Sequence, residues 1–482
     1  MLQLDTTTPL CEDALADAAG RVQVPTYDRS QLSCSVVHIG VGCFHRAHQA
    51  VYFDEIAQRG ISSEWGITGF GLRNPEFKRA LDAQDTLYTV VKRSAESDRG
   101  RVVGSIRRTV FVPEEPVAAL AALTAAETKL VTLTITGDGY VRPVSGRSAP
   151  GTVFELIGAA LAARRREGTA PFTVLSCDNL ADNGDAARRA TLAASGDSEL
   201  ARWIESHVAF PKSVVDRITP ATTDDTRALV ARRFGIDDRW PVVCEPFAHW
   251  VIEDDFCNER PPLDLVGAQF VSDVDTYGRA KRRMLNGGHS ALGYVGYLLG
   301  HRTTDGAMAD PMVVEFIRKL LDDEVIPLLL RPAGLDLADY RRQLLERFAN
   351  PRLADPLQRL CGRGSTKVPE YLLPSLVEAR ASGRPFELLA LALAAWLRYL
   401  RGFDIDGERI AIRDERLETL RPLARAGGSD PRPLLSVRSV FGDLVEDEFA
   451  VATIERALRA IDADGLERTV ARYLDARDPV AA

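Results

Sequence analysis

Short runs rich in Val, Ile and Thr alternate with helix-patterned stretches through roughly the first 265 residues, the pattern of successive β-α-β units. Four of these runs predict strands: VVHIGVG (36–42), EWGITGFGL (64–72), KLVTLTIT (129–136) and PFTVLSC (171–177). The last three each follow a helical stretch, which implies a mostly parallel sheet covered on both faces. Beyond about residue 270 the strand pattern fades and amphipathic helical patterns take over, at 313–330, 386–401, 449–462 and 465–476. Pro332, Pro385 and several glycines punctuate them. The expected architecture is an α/β domain over 1–270 followed by a mainly α-helical domain over 271–482, with a ligand cleft between the two. The most apolar stretch, 388–397, is about half the ~20 residues a bilayer span needs and is closed by Glu387 and Arg398, so it reads as a buried helix.

Composition narrows the function classes. Of 482 residues, 45% are hydrophobic and 27% charged, which leaves no room for bulk disorder. Lys plus Arg number 60 against 68 Asp plus Glu, a net charge of -8 with the signs interspersed, and a nucleic-acid backbone would call for a basic surface. The seven cysteines (Cys11, Cys34, Cys43, Cys177, Cys244, Cys257 and Cys361) are scattered and form no C-x-x-C pair, which argues against a disulfide framework and a structural zinc site. The N-terminal stretch is acidic and lacks the basic-then-apolar layout of a signal peptide. The expectation is a cytoplasmic, metal-independent protein, monomeric or a small homo-oligomer, acting on a small molecule, with neither nucleic acid nor membrane as partner.

Two clusters carry candidate chemistry. The first predicted strand runs into Gly40-Val41-Gly42-Cys43-Phe44-His45-Arg46. A glycine pair there lets the chain turn tightly and lets a phosphate approach the backbone at a helix start. The third fingerprint glycine is missing, since position 45 is His, and the same G-x-G also serves an ordinary tight turn. The nearest acid after the second predicted strand is Glu76, which would bind the adenosine ribose of a dinucleotide; it lies 34 residues past Gly42, against the usual ~20, and reads equally as a solvated loop residue.

The second cluster lies in the helical pattern at 279–299, which contains Lys281, Asn286, Gly287, Gly288 and His289. At α-helical spacing Lys281, Asn286 and His289 fall within about 140° of arc, and the adjacent glycines suggest close approach of backbone or ligand. An amide-rich stretch, Cys177-Asp178-Asn179-Leu180-Ala181-Asp182-Asn183, follows the fourth predicted strand, at the carboxyl end where α/β sheets bind ligands. These parts suit oxidation of an alcohol without a metal. Lysine with a lowered pKa takes the hydroxyl proton, and amide N–H groups stabilise the oxygen charge that builds as hydride leaves. On local pattern alone Lys281 also fits a surface lysine and His289 a hydrogen-bonded core histidine.

Taken together and in order, GVGCFHRAHQA, WGITGFGLR, SCDNLADNG, FPKSVVDRITP, CEPFAHWVIED, KRRMLNGGHSALGYVG and FANPRLADPLQRLCGRGSTKVP resemble the polyol-specific long-chain dehydrogenase/reductase family. Mannitol 2-dehydrogenases and fructuronate reductases are of this type. The resemblance implies a Rossmann-type N-terminal domain, a helical C-terminal domain, NAD as cofactor and a polyol or keto-sugar as substrate. It implies Lys281 as general base, Asn179 and Asn286 as the oxyanion hole, and His289 as positioner of substrate and base. Asp216, Arg359 and Lys367 are implied as substrate contacts. Gly40, Gly42, Phe44, Arg46, Glu76 and Asp178 are implied on the cofactor side.

Four positions depart from the family pattern. Gly278 stands where a glutamate often serves a proton path; Thr136-Gly137-Asp138-Gly139-Tyr140 replaces Thr-Glu-x-Gly-Tyr; Lys212 replaces a common Asn; and His249 replaces a common Gln. They leave the substrate open between a polyol/ketose pair and a keto-uronate, whose carboxylate could use Arg359, Lys367 or Lys212. A sugar phosphate is the third choice, because no extra basic cluster is present to hold it. A non-catalytic NAD-binding sensor is the rival from another class, and the Lys281/Asn286/His289 set argues against it, since a sensor needs no base.

Overall fold

The computed structural model describes residues 7–140, 152–404 and 407–476. The chain divides into two compact units, Met1–Asp275 and Thr276–Ala482.

The first unit is built on five parallel strands: β1 (Val36–Ile39), β2 (Ile67–Gly71), β3 (Ile106–Phe111), β4 (Leu130–Leu133) and β5 (Thr173–Ser176), in the order β3-β2-β1-β4-β5. Val36 pairs in register with Ile67 on one side and Leu130 on the other. All four residues of β1, β4 and β5 are buried, as expected for a sheet covered on both faces. Successive side chains alternate between two cores: Val36, Ile67 and Leu130 pack with Phe53 and Trp250, while Val37, Phe70 and Val131 pack with Phe154 and Leu161. The four predicted strands are present, each shorter than its apolar run. Strand β3 was hidden by Arg107 and Arg108; it lies at the sheet edge, where a charged side chain can reach solvent. Two three-stranded sheets and a short parallel pair, Thr8–Pro9 with Ile236–Asp237, accompany the five-stranded sheet. Tyr88–Arg93 pairs antiparallel with Asp98–Val103 and parallel with Val242–Cys244. His249–Glu253 pairs antiparallel with Ser213–Asp216 and parallel with Gln269–Val271.

The second unit is helical. At its centre lies helix Glu387–Tyr399, in which every residue from Leu388 to Leu397 is buried; it packs against Gly287–Leu298 and Glu448–Asp464. Its start is capped from a distance: the buried Glu324 carboxylate accepts from Leu388 N (2.9 Å) and Leu389 N (2.7 Å), matching negative charge to the free N–H groups of a helix N-terminus. No helix among the described residues is long and apolar enough to cross a membrane. The pattern at 313–330 resolves into an α-helix (Pro311–Lys319), a π turn (Leu320–Val325) and a 3-10 turn (Ile326–Leu328). Pro327, which lacks the N–H that α-helical bonding requires, closes it.

Candidate active site

In the first unit, the carboxyl ends of β1, β2 and β4 open into a cleft of about 280 Å3 lined by Gly40, Gly42, Cys43, Arg46, Thr134 and Trp240, and on the β2 side by Arg73, Asn74 and Phe77. The chain leaves β1 toward β2 and β3 on one side and later adds β4 and β5 on the other, so the cleft sits at the switch point of the sheet. Gly40 has φ +103°, and a Cβ there would overlap the Thr134 carbonyl oxygen, so the turn requires glycine. Gly42 precedes helix Cys43–Ala47 and leaves its backbone open. Arg46 is fully buried: one guanidinium nitrogen donates to the Trp240 carbonyl, another lies 3.7 Å from Cys43 Sγ, and Nε has no hydrogen-bond partner among the described residues. A glycine turn, an open backbone and a buried guanidinium with a donor to spare fit the phosphates of a dinucleotide.

The remaining cofactor-side residues are placed less directly. Phe44 stacks on His48, with ring centroids 5.0 Å apart. Glu76 begins helix Glu76–Asp82, where its carboxylate pairs with Arg79 at 2.6 Å and is largely exposed; it is not among the residues lining the cleft, whereas Arg73 and Asn74 are. The Asp178 carboxylate is engaged internally, accepting from Thr136 N (2.7 Å) and the Tyr140 hydroxyl (2.8 Å), so it braces the turn after β4 that carries cleft residue Thr136. Burial raises its pKa, against those hydrogen bonds.

Beneath the glycine turn lies a histidine stack with no counterpart in the motif reading. His38 and His45 lie face to face, centroids 3.4 Å apart. His38 Nδ1 is 2.8 Å from Thr132 Oγ1 and its Nε2 is 2.9 Å from Thr134 Oγ1. Burial lowers the pKa of His38 to about 3 and that of His45 far below the ordinary value, so both rings are neutral packing elements.

Of the residues assigned to substrate in this unit, Asn179 is exposed just past β5, and Asp216 is buried at the end of Ser213–Asp216, in register with His249. Lys212 holds three carboxylates, Asp182 at 3.1 Å, Asp185 at 3.5 Å and Asp275 at 3.1 Å. Burial works against its charge, but Asp275 and Asp182 outweigh it and hold the ammonium above the ordinary lysine range. Lys212 therefore ties the loop after Asn179 to Asp275.

In the second unit the helix carrying Lys281 departs from α-geometry. Asp275–Ala280 is α-helical, Lys281–Asn286 is a π turn, and Gly287–Leu298 is α-helical again. The wider turn changes the angular spacing of Lys281, Asn286 and His289 from the even α-helical arc, and such turns recur at functional sites. The glycines that follow allow close packing. A Cβ on Gly287 would lie 2.9 Å from the Tyr371 carbonyl oxygen, and Gly288 faces the Phe348 ring. Lys281, Asn286 and His289 are all half-buried, and His289 rests on Phe348 with centroids 4.2 Å apart. The Asn286 amide nitrogen is itself buried and has no hydrogen-bond partner among the described residues. An unmatched buried donor costs about 1–3 kcal/mol, which a ligand oxygen would recover.

Arg359 and Lys367 lie together. Arg359 pairs through two nitrogens with Asp355, four residues earlier. Lys367 Nζ donates to the carbonyls of Arg359 (3.1 Å) and Leu360 (3.2 Å). Burial, helped by the Arg359 charge, lowers the Lys367 pKa to about 8. Gly278 is buried one turn before Lys281. Among the described residues no cluster of three or more His, Cys, Asp or Glu side chains has the geometry to hold a metal ion.

Residues 34–265 match the family model of the mannitol dehydrogenase Rossmann domain and residues 273–462 that of the mannitol dehydrogenase C-terminal domain. The chain is 41% identical to mannitol 2-dehydrogenase of Aspergillus terreus, over 95% of this chain and 97% of that one. It is 40% identical to mannitol 2-dehydrogenase of Aspergillus oryzae, with the same coverage. Among solved structures, Pseudomonas fluorescens mannitol 2-dehydrogenase, in a ternary complex with NAD and D-mannitol, superposes with a TM-score of 0.88 at 38% identity, covering 97% of this chain and all (100%) of that one. A substrate-free D-sorbitol dehydrogenase gives a TM-score of 0.88 at 31% identity, over 96% of this chain and 100% of that one. By its order of motifs, its two units and these full-length matches, the chain belongs to the mannitol dehydrogenase family.

Proposed function

We propose that this protein is an NAD-dependent oxidoreductase interconverting a sugar alcohol and a ketose, with Lys281 as general base and no metal ion. The unpartnered, buried Asn286 amide on the same π turn as Lys281 carries this reading, because it is a donor prepared for an oxygen that none of the described residues supplies. Bound NAD supplies the hydride acceptor for oxidation and, reduced, the hydride donor for the reverse direction. Gly40, Gly42 and Arg46 hold it at the sheet switch point. Neutral Lys281 accepts the proton of the reacting hydroxyl at Nζ. Asn179 and Asn286 donate to the same oxygen as its charge develops, and His289, fixed against Phe348, orients the base. Lys367, with Arg359 beside it, and Asp216 contact the remaining hydroxyls.

The pairing of Arg359 with Asp355 favours a neutral substrate over a keto-uronate, since the guanidinium charge is already matched. A spectrophotometric screen of hexitols, pentitols and keto-uronates with NAD and NADP tests the assignment. Turnover is expected with a polyol and NAD. Preference for a keto-uronate would overturn the substrate class, and NAD binding without turnover of any substrate would point to the sensor.

A further inference from the structure

We propose that Cys43 is a covalent modification site, a thiolate in the wall of the dinucleotide cleft that exchanges with low-molecular-weight disulfides and thereby closes the cleft to its cofactor. The inference rests on reading that cleft as the dinucleotide site.

Cys43 opens helix Cys43–Ala47 directly after Gly42, is half-buried, and lines the cleft together with Gly42 and Arg46. Its sulfur lies 3.7 Å from an Arg46 guanidinium nitrogen and 3.5 Å from Thr222 Oγ1. Arg46 brings the second, independent observation: its side chain is fully buried, it lines the same cleft, and its Nε is left without a partner among the described residues. The thiol therefore sits beside a fixed cation in a recess that still lacks an acceptor. Burial pushes the Cys43 thiol up, but Arg46 and the bonds from Thr222 outweigh it and leave it below the ordinary cysteine value. The buried Cys177, Cys244 and Cys361 go the other way, raised by burial. Reactivity requires both thiolate character and access; the Arg46 guanidinium beside Cys43 favours the first and its place in the cleft wall gives the second.

The chemistry is closed. The Cys43 thiolate attacks one sulfur of a disulfide RSSR, a new Sγ–S bond forms, and the reagent's S–S bond breaks. RS⁻ leaves with the electron pair and takes a proton from water. No further oxidant is consumed, and excess thiol reverses the exchange. The attached RS group then occupies space in a cleft of about 280 Å3.

The test uses the full chain and glutathione disulfide, with labelled peptides located by mass spectrometry. Cys43 is expected to react severalfold faster than half-buried Cys11, Cys34 and Cys257, because the Arg46 guanidinium beside its sulfur favours the thiolate. Saturating NAD is expected to slow that labelling about tenfold, since the bound cofactor covers the same wall. NAD binding, followed by fluorescence, should fall in step with label and return with dithiothreitol. Cys43→Ser, whatever its own starting rate, should keep that rate through the treatment. Labelling of Cys43 no faster than of Cys11, Cys34 and Cys257, or labelled protein that binds NAD as before, overturns the proposal. Failure of the untreated protein to bind NAD overturns the cofactor reading instead, and the relative labelling rates then judge the reactivity of Cys43 by themselves.

Discussion

At the scale of single residues, two lysines carry testable roles. If Lys281 is the general base, it works only when neutral, so polyol oxidation should rise with pH. Lys281→Ala is expected to lower turnover about 10²–10⁴-fold while NAD binding survives, because the glycine turn belongs to the other unit. Asn286→Ala should cost at most about 2.7–4 kcal/mol in the transition state, the worth of one oxyanion donor. Near-normal turnover of folded Lys281→Ala would place the base elsewhere. Lys367 works in the opposite sense. Its pKa, lowered to about 8 by burial, means the ammonium is present below that pH and lost above it. If it grips substrate hydroxyls, KM for the polyol should climb above about pH 8, and Lys367→Met should raise KM and flatten its pH profile. A KM that stays level from about pH 7 to 9 in the unmodified protein would remove Lys367 from the substrate contacts. Glu76 shows where residue reading meets its limit. Its place as the first acid after the second strand pointed to it, against its spacing, yet its carboxylate is turned onto Arg79, an exposed pair worth only about 0.2–1 kcal/mol and so easily exchanged for a ribose hydroxyl. Arg73 and Asn74, three and two residues nearer the same strand end, line the cleft itself.

At the scale of elements, legibility followed burial. Strands β1, β2, β4 and β5 were readable because a strand covered on both faces is a continuous apolar run. Strand β3 was not, because an edge tolerates the Arg107-Arg108 pair. Neither π turn was readable, since each lies inside a continuous helical pattern in which α and π bonding look alike. The Arg46–Trp240 contact joins residues 194 apart and left no local trace. The glycine turn, by contrast, was legible because only glycine suits a positive φ at that contact distance. Gly40→Ala is therefore expected to cost on the order of 1–3 kcal/mol from backbone strain alone, with the clash against Thr134 added, and to weaken NAD binding. Gly20 is the control. It too has a positive φ, +89°, but faces open space, so Gly20→Ala should show the strain cost and leave NAD affinity unchanged. Denaturant titration with and without NAD reads both quantities. Equal behaviour of the two variants would separate the Gly40 turn from cofactor binding.

At the scale of the whole molecule, each unit has its own buried centre, the parallel sheet in Met1–Asp275 and helix Glu387–Tyr399 in Thr276–Ala482, so heat unfolding need not be a single two-state event. That makes cofactor linkage informative. A ligand that binds only the folded state stabilises it by about 2.7 kcal/mol at a hundred times its Kd, and the residues proposed to hold the dinucleotide all lie before residue 275. NAD should therefore raise the unfolding transition of the first unit, measured by calorimetry, and the isolated second-unit signal should follow only as far as the two are coupled. A structural or catalytic metal would add a linkage of its own, lost on chelation. Here the proposed base is an amine, the proposed oxyanion donors are amides, and the three carboxylates that do gather, Asp182, Asp185 and Asp275, surround the Lys212 ammonium, which occupies the place a cation would take. Exhaustive chelation should leave both the calorimetric trace and the rate of polyol oxidation unchanged. Activity lost to a chelator and restored by zinc would mean that the hydroxyl proton is drawn off by a metal-polarised oxygen, and the lysine mechanism would fall with it.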